Sequence, residues 1–212
     1  MSSSSERPSV PSSLWARVRA DPARAPEHVA LAAADWHGPA AAEWAAAKRE
    51  RFAVSGRELA RMAKRRHASM ARLEGAATGV GGFITIVPDA LLLAWIQSRL
   101  VFFTAAAFGF DPRDPMRPAE LLVLRDLYPD PQTARRALDG IGKTVAESYL
   151  TGKLERAREQ AMMSRLLRFA GKRMATGATR RLIPGVAIAF NAVANERETR
   201  ELADRAARFY GG

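Results

Sequence analysis

Apolar positions along the chain recur with helical spacing, and no segment shows the strict alternation that a half-buried strand needs. Proline and glycine clusters divide this pattern into about seven helices. We predict helices over 40–53, 119–128, 132–150, 153–182 and 186–210, with two more that begin near Ser55 and Ala90. Alanine supplies 42 of the 212 residues and favours helix further. The sequence therefore predicts an all-α fold, a single helical domain built around one long apolar segment.

The start of the chain is the least regular part of this pattern. Residues 1–13 are rich in Ser and Pro and hold no apolar run, which predicts a disordered tail and not a signal peptide or membrane anchor. Residues 14–47 are predicted to be a helical arm interrupted at Pro22, Pro26 and Pro39. Residues 48–212 are then the main helical domain.

The helix that begins near Ser55 is predicted to be amphipathic and basic. Ser55 is a candidate N-cap, and Glu58 three residues later completes a capping box. Helical spacing places the apolar residues on or near one face and the basic residues on the other. The apolar set is Leu59, Met62, Met70 and Leu73, and the basic set is Arg57, Arg61, Lys64, Arg65 and Arg72.

Residues 75–110 are almost continuously apolar, and Pro88-Asp89 divides them into 14 residues and a second run of roughly 20. The second run could span a bilayer by length. However, it carries Gln97 and Arg99 near its middle, and a charge at a bilayer centre costs about 2.5 to 3.5 kcal/mol. We interpret the segment as a helical hairpin buried in a soluble or peripheral protein, with bilayer insertion as the alternative. Its predicted turn glycines are Gly75, Gly79, Gly81 and Gly82, and the spacing Gly75-x-x-x-Gly79 allows close helix packing as the alternative role.

The net charge of +11 is concentrated in two segments. Residues 48–72 and 153–181 each hold nine basic and two acidic residues, so the rest of the chain sums to −3. Such an excess attracts polyanions. The predicted partner is an anionic membrane surface or a membrane protein, with nucleic acid as the alternative. The candidate contact residues are Arg57, Arg61, Lys64, Arg65, Arg165, Arg168, Lys172 and Arg173.

Candidate catalytic chemistry is sparse in the sequence. The absence of cysteine excludes disulfides, thiolate zinc sites, iron-sulfur clusters and a cysteine nucleophile, and three histidines are too few for a histidine-rich metal site. Gly142-Lys143-Thr144 lacks the first glycine of a phosphate-binding loop. Asp111 and Asp114 fit solvated proline turns better than a cation site. We predict no catalytic residue, metal or cofactor, and a hydrolase with a hydrophobic pocket stays open as an alternative.

Two apolar blocks of the chain are similar to each other. A shift of 102 residues aligns Asp89 with Asn191 and Phe108 with Tyr210. An internal repeat would place these pairs at equivalent positions about a pseudo-two-fold axis, whereas chance similarity of two Ala-rich helices is the other explanation. Asp89 also suits a helix start, where a carboxylate is favoured. The candidate polar residues of the apolar segments are Asp89, Gln97, Arg99 and Asn191.

Three strings carry a family resemblance: MARLEGAATGVGGFITIVPDA, then LLLAWIQSRL ending at FGFDPRDP, and finally LIPGVAIAFNAVANERETRELADRAARFY. Together they resemble the EcsC family of bacterial proteins, from about residue 48 to 210. Phe108 departs from the tyrosine that many members have there. The family is named after the third product of an operon for an ABC exporter, so the resemblance implies a helical protein in a membrane-linked context and no particular reaction. We expect a non-catalytic accessory protein, peripheral at the cytoplasmic face of the membrane.

Overall fold

The computed structural model describes residues 9–78, 86–140 and 184–212, and it describes side chains for 9–73, 90–140 and 193–212. Within these residues 82% of the chain is helical, in seven α-helices and without a strand. The predicted all-α fold is therefore confirmed. The helices are α1 (Ser12–Ala20), α2 (Ala25–Arg51), α3 (Gly56–Thr78), α4 (Ile86–Ala107), α5 (Arg117–Leu124), α6 (Pro131–Asp139) and α7 (Pro184–Gly211), with a 3₁₀ turn at Pro22–Arg24.

The central element is α4, which packs against α2, α3 and α7. A helix that is apolar on all sides belongs in a protein interior or a membrane, and α4 is enclosed by its three neighbours. Trp95, Phe102 and Phe103 are at most 2% exposed. Pro88-Asp89 lies at the start of a helix, as predicted, but α4 begins at Ile86 and not near Ala90, because a proline in the first helical turn removes no intrahelical hydrogen bond.

Of the four long helices that the structure describes, α2, α4 and α7 run in the same direction and α3 runs the opposite way. The two ends of α2 show its direction, because His37 contacts Trp95 and Arg49 contacts Ala106. Ion pairs join Lys64 to Asp204 and Arg72 to Glu196, so α3 is antiparallel to α7. Gln97 of α4 donates to Glu198 of α7 over 3.1 Å, at nearly the register that the 102-residue shift predicts. α4 and α7 are therefore parallel and lie at nearly the same level, as expected if a pseudo-two-fold axis parallel to the helices relates the two repeats. The repeat itself stays a prediction, since the partner expected for α3 lies outside the described residues.

The helix α2 is continuous, and the interruptions predicted at Pro26 and Pro39 are wrong. Pro26 lies in the first turn of α2, where its missing N–H costs nothing. Pro39 leaves only the carbonyl of Asp35 without its helical donor, and that turn is on the exposed side of α2. Buried alanines on the opposite side, including Ala41 and Ala45, hold α2 against the core.

The predicted arm packs into the same core as the main domain. Leu14, Val18 and Val29 belong to one buried cluster with residues of α4 and α5. At the other end of α2, Arg49 Nη2 donates to the carbonyl oxygens of Ala106 and Ala107 over 2.8 and 3.0 Å. Gly109 N also donates to the Ala106 carbonyl, so Arg49 adds a second donor there, bonds the Ala107 carbonyl and complements the helix dipole. The described part of the arm is thus joined to α4 along its length.

Candidate functional site

The local sequence at the start of α3 defines how that helix presents its side chains. Ser55 N and Ser55 Oγ both donate to Glu58 Oε2 over 2.8 Å, and Glu58 N donates back to Ser55 Oγ over 3.3 Å. These bonds lower the pKa of Glu58 below its ordinary value. The predicted capping box is confirmed, and it fixes the first turn of α3 against the end of α4.

An exposed stripe of basic side chains follows this cap. Arg57, Arg61 and Arg65 recur every four residues and are all exposed, and we call these three residues the arginine face. The opposite side of α3, which includes Leu59 and Ala63, is buried. Within the part of the chain that the structure describes, no carboxylate forms an ion pair with the arginine face. Its charge is therefore available to an external anion.

The predicted contact residue Lys64 and its basic neighbour on α3, Arg72, are placed differently. Lys64 turns towards α7 and bonds both carboxylate oxygens of Asp204, at 2.6 and 2.8 Å. Arg72 lies 3.6 Å from Glu196. These two side chains thus hold α3 on α7 and have less charge to offer a partner. The remaining candidates, Arg165, Arg168, Lys172 and Arg173, lie outside the described residues.

The polar candidates of the apolar segments do not form one site in the described structure. Gln97 is 1% exposed and joins α4 to α7 through Glu198. The guanidinium of Arg99 lies 5.1 Å from the centre of the Phe103 ring. Asp89 is in the first turn of α4 and Asn191 is in an early turn of α7. The side chains of both lie outside the described set.

The turn glycines fall at the edge of what the structure describes. Gly75 lies inside α3, which continues to Thr78, so Gly75 is not in a turn, and its alternative role in close helix packing stays a prediction. Glycine in a helix interior costs about 0.5 to 1 kcal/mol relative to alanine, but it does not by itself end a helix. Gly79, Gly81 and Gly82 lie outside the described residues.

Sequence reasoning missed a pair of buried histidines around α4. His37 of α2 stacks on Trp95 at 4.3 Å, and His67 of α3 meets Phe103 edge-on at 5.2 Å. Burial lowers the pKa of each imidazole to about 3, and the positive charge of Arg99 adds to this in both cases. Both rings are therefore neutral at pH 7. One signal was available, because His67 occupies the helical stripe of Ala63 and Ala71.

A second unpredicted cluster joins the start of α5 to the end of α7. Arg117 bonds Glu120, and its other terminal nitrogen lies 3.3 Å from Asp114 Oδ2. The hydroxyl of Tyr210 donates to Glu120 Oε2 over 2.7 Å. Burial raises the pKa of Glu120, while Tyr210 and Arg117 oppose that rise. The charges compensate one another inside the cluster, so it acts as a structural clasp.

No described group of three or more histidine and carboxylate side chains could hold a metal ion. The described surface has a shallow apolar cleft of about 160 Å³ between α2 and the loop after α4, lined by Ala46, Phe110 and Pro112 among others. Neither feature brings a nucleophile together with a base. Among the described helices, α4 alone has a stretch long and apolar enough to cross a bilayer, Ala90–Ala107, and 78% of that stretch is buried inside the protein. A core helix has the same properties.

A model of the EcsC protein family matches residues 45–211. This chain belongs to the EcsC family. The comparison with curated proteins and the comparison with solved structures gave no match. The EcsC region contains the arginine face and the whole Arg117–Glu120–Tyr210 clasp, which ties its FGFDPRDP string to its C-terminal ARFY string. His37 precedes that region, so the histidine pair spans its boundary.

Proposed function

We propose that this EcsC protein is a non-catalytic accessory protein that binds the anionic surface of the cytoplasmic membrane through the arginine face of α3. The observation that carries the proposal is the contrast along α3. Lys64 is paired with Asp204 of α7 and Arg72 lies 3.6 Å from Glu196, whereas Arg57, Arg61 and Arg65 are exposed and no described carboxylate pairs with them. The membrane-linked context implied by the family resemblance agrees with this assignment.

The arginine face is large enough to hold the protein at a membrane reversibly. Successive arginines are four residues apart, about 6 Å along the helix axis, so the stripe extends over about 12 Å. Each basic residue near an anionic bilayer contributes about 1 kcal/mol. Three such residues give at most about 3 kcal/mol, reached when all three lie at the surface, which is a factor of about 150 in the partition coefficient. The attraction decays over about 8 Å at physiological salt.

Vesicle flotation tests the proposal. The full chain should float with vesicles of phosphatidylglycerol and phosphatidylcholine, release as salt rises, and ignore vesicles of phosphatidylcholine alone. The variant R57Q/R61Q/R65Q should lose most of this binding. The control R17Q/R136Q/R197Q removes the same charge from exposed arginines of α1, α6 and α7 and should bind far better.

Two results would overturn the proposal. One is equal loss of vesicle binding in both triple variants, since net charge and not the arginine face would then be responsible. The other is failure to bind anionic vesicles together with tight binding to DNA or RNA that weakens steeply with salt. That second result would assign the arginine face to nucleic acid.

A further inference from the structure

Three half-exposed phenylalanines lie at one end of the helical bundle, and we call Phe52, Phe110 and Phe209 the aromatic end. Their exposures are 42%, 43% and 44%. Phe52 directly follows α2, Phe110 lies three residues beyond α4, and Phe209 is in the last turn of α7. These helix ends meet, because Arg49 bonds the last carbonyls of α4 and a carbon added at Gly211 would lie 3.0 Å from the Phe108 ring.

The exposed rings of the aromatic end are held in place by neighbours. Phe110 and Phe209 contact the buried ring of Tyr210 at 5.2 and 5.0 Å, and Tyr210 is anchored in turn by its bond to Glu120. Phe52 has Lys48 and Arg51 over its faces, each 5.3 Å from the ring centre. A fixed aromatic ring loses little conformational entropy when it enters an apolar phase.

The charges around the aromatic end match an anionic partner. Arg51, Arg57 and Arg208 are exposed there, and no described carboxylate forms an ion pair with them. Of the acidic residues nearby, Glu58 is engaged in the cap of α3, Asp111 accepts from a backbone N–H over 2.9 Å, and Glu50 is exposed beside Arg51. The basic residues there outnumber these three carboxylates: Lys48, Arg49, Arg51, Arg57 and Arg208. Half-exposed aromatic rings among uncompensated cations are typical of a surface that enters the interface of an anionic bilayer.

The opposite end of the bundle also exposes apolar side chains, but there two carboxylates partner three described arginines. Leu73 is 69% exposed and Val193 is 59% exposed. The arginines near them are paired with carboxylates of α7. These pairs are Arg72 with Glu196, Arg200 with Glu196 and Arg197 with Glu201. Charge therefore favours the aromatic end as the surface that meets anionic lipid.

We infer that the protein docks end-on, with Phe52, Phe110 and Phe209 inserted among the lipid headgroups and the bundle axis steep to the membrane. This inference rests on the proposed function and adds an orientation to it. Arg57 lies in the first turn of α3 at the membrane, whereas Arg65 lies about 12 Å further away along the axis, beyond the screening length of about 8 Å. The contribution of the arginine face then falls from Arg57 to Arg65.

Site-specific fluorescence tests the orientation directly, because the chain has no cysteine that would compete for the label. Single cysteines labelled with an environment-sensitive nitrobenzoxadiazole dye are placed at the aromatic end (F52C, F209C) and at the opposite end (L73C, V193C). With anionic vesicles, the dye should brighten and shift to the blue at the first two positions and stay unchanged at the other two. Brightening at Leu73 and Val193 instead overturns the inference.

A binding measurement gives a second, independent test. The variant F52S/F110S/F209S should bind anionic vesicles at least about tenfold more weakly than the native chain, whereas the control W36S/L73S/V193S, which replaces even more exposed side chains, should bind normally. R57Q should weaken binding more than R65Q. Equal binding of both triple variants, with intact melting curves, contradicts end-on docking. A native chain that ignores anionic vesicles contradicts the proposed function itself.

Discussion

Acid should destabilise this protein through the two histidines buried around α4. His37 is 3% exposed and His67 is fully buried, each lies against an aromatic ring, and Arg99 is positive beside both. The pKa of each falls from 6.5 to about 3 on folding. Between pH 6.5 and pH 3, the two histidines therefore bind protons in the unfolded chain but stay neutral in the folded chain. Stability should be constant above about pH 6.5 and should fall as the pH drops below that value.

The size of the effect follows from the two pKa values. A histidine with a pKa of 6.5 unfolded and about 3 folded destabilises the fold by roughly 1 to 2 kcal/mol at pH 5.5 and by roughly 3 kcal/mol at pH 4.5, relative to pH 8. Two such histidines lower the free energy of unfolding by roughly twice these amounts. Marginally stable domains have about 5 to 15 kcal/mol in total, so the loss is large.

Urea titrations at a series of pH values measure this loss. The double variant H37L/H67L replaces both rings with apolar side chains of similar size, and its free energy of unfolding should depend much less on pH between 6.5 and 4.5. H28L is the matched control, because Asp21 lies 3.8 Å from His28 and opposes the lowering of its pKa by burial. If the double variant keeps the pH dependence of the native chain, the reasoning is refuted.

Three further substitutions test packing and capping, each by thermal or chemical denaturation. Tyr210→Phe removes the buried bond to Glu120 and should cost about 1 to 3 kcal/mol, with a loss under about 0.3 kcal/mol contradicting the clasp. Ser55→Ala should cost about 1 kcal/mol by removing the cap of α3, and an unchanged midpoint would show that the cap contributes nothing. Gly38→Ala places a carbon 3.0 Å from the Pro112 carbonyl oxygen, so it should destabilise the fold although alanine favours helix; a gain in stability would contradict that close approach.

Features of the fold that depend only on residues close in sequence could be predicted, and α3 is the example. The Ser55–Glu58 cap and the amphipathic pattern of α3 are both present, because each is set within a few residues. The exception is Leu73, which helical spacing places on or near the apolar face but which is 69% exposed. The break at Pro39 failed for the opposite reason. Contacts of α2 with α4 lie far away in sequence, and they keep the helix continuous where proline alone would favour an end.

In the candidate site, too, local features could be predicted and contacts between distant residues could not. The exposure of Arg57, Arg61 and Arg65 follows from helical spacing and could be predicted. The ion pair of Lys64 with Asp204, 140 residues away, could not be predicted. The histidine pair and the Arg117 clasp likewise depend on which helices meet, and neither spacing nor composition contains that information.

The helix α2 crosses the boundary of the region that matches the EcsC family, so the folded domain and the matched region do not begin at the same residue. The EcsC match begins at residue 45, yet about five turns of α2 precede that residue and cover α4. A chain cut at 45 would uncover Trp95 where His37 stacks on it and would lose the contact of the first turns with α5. We therefore expect the smallest stable unit of this protein to extend past the family boundary, because the preceding turns of α2 cover the apolar centre of the domain.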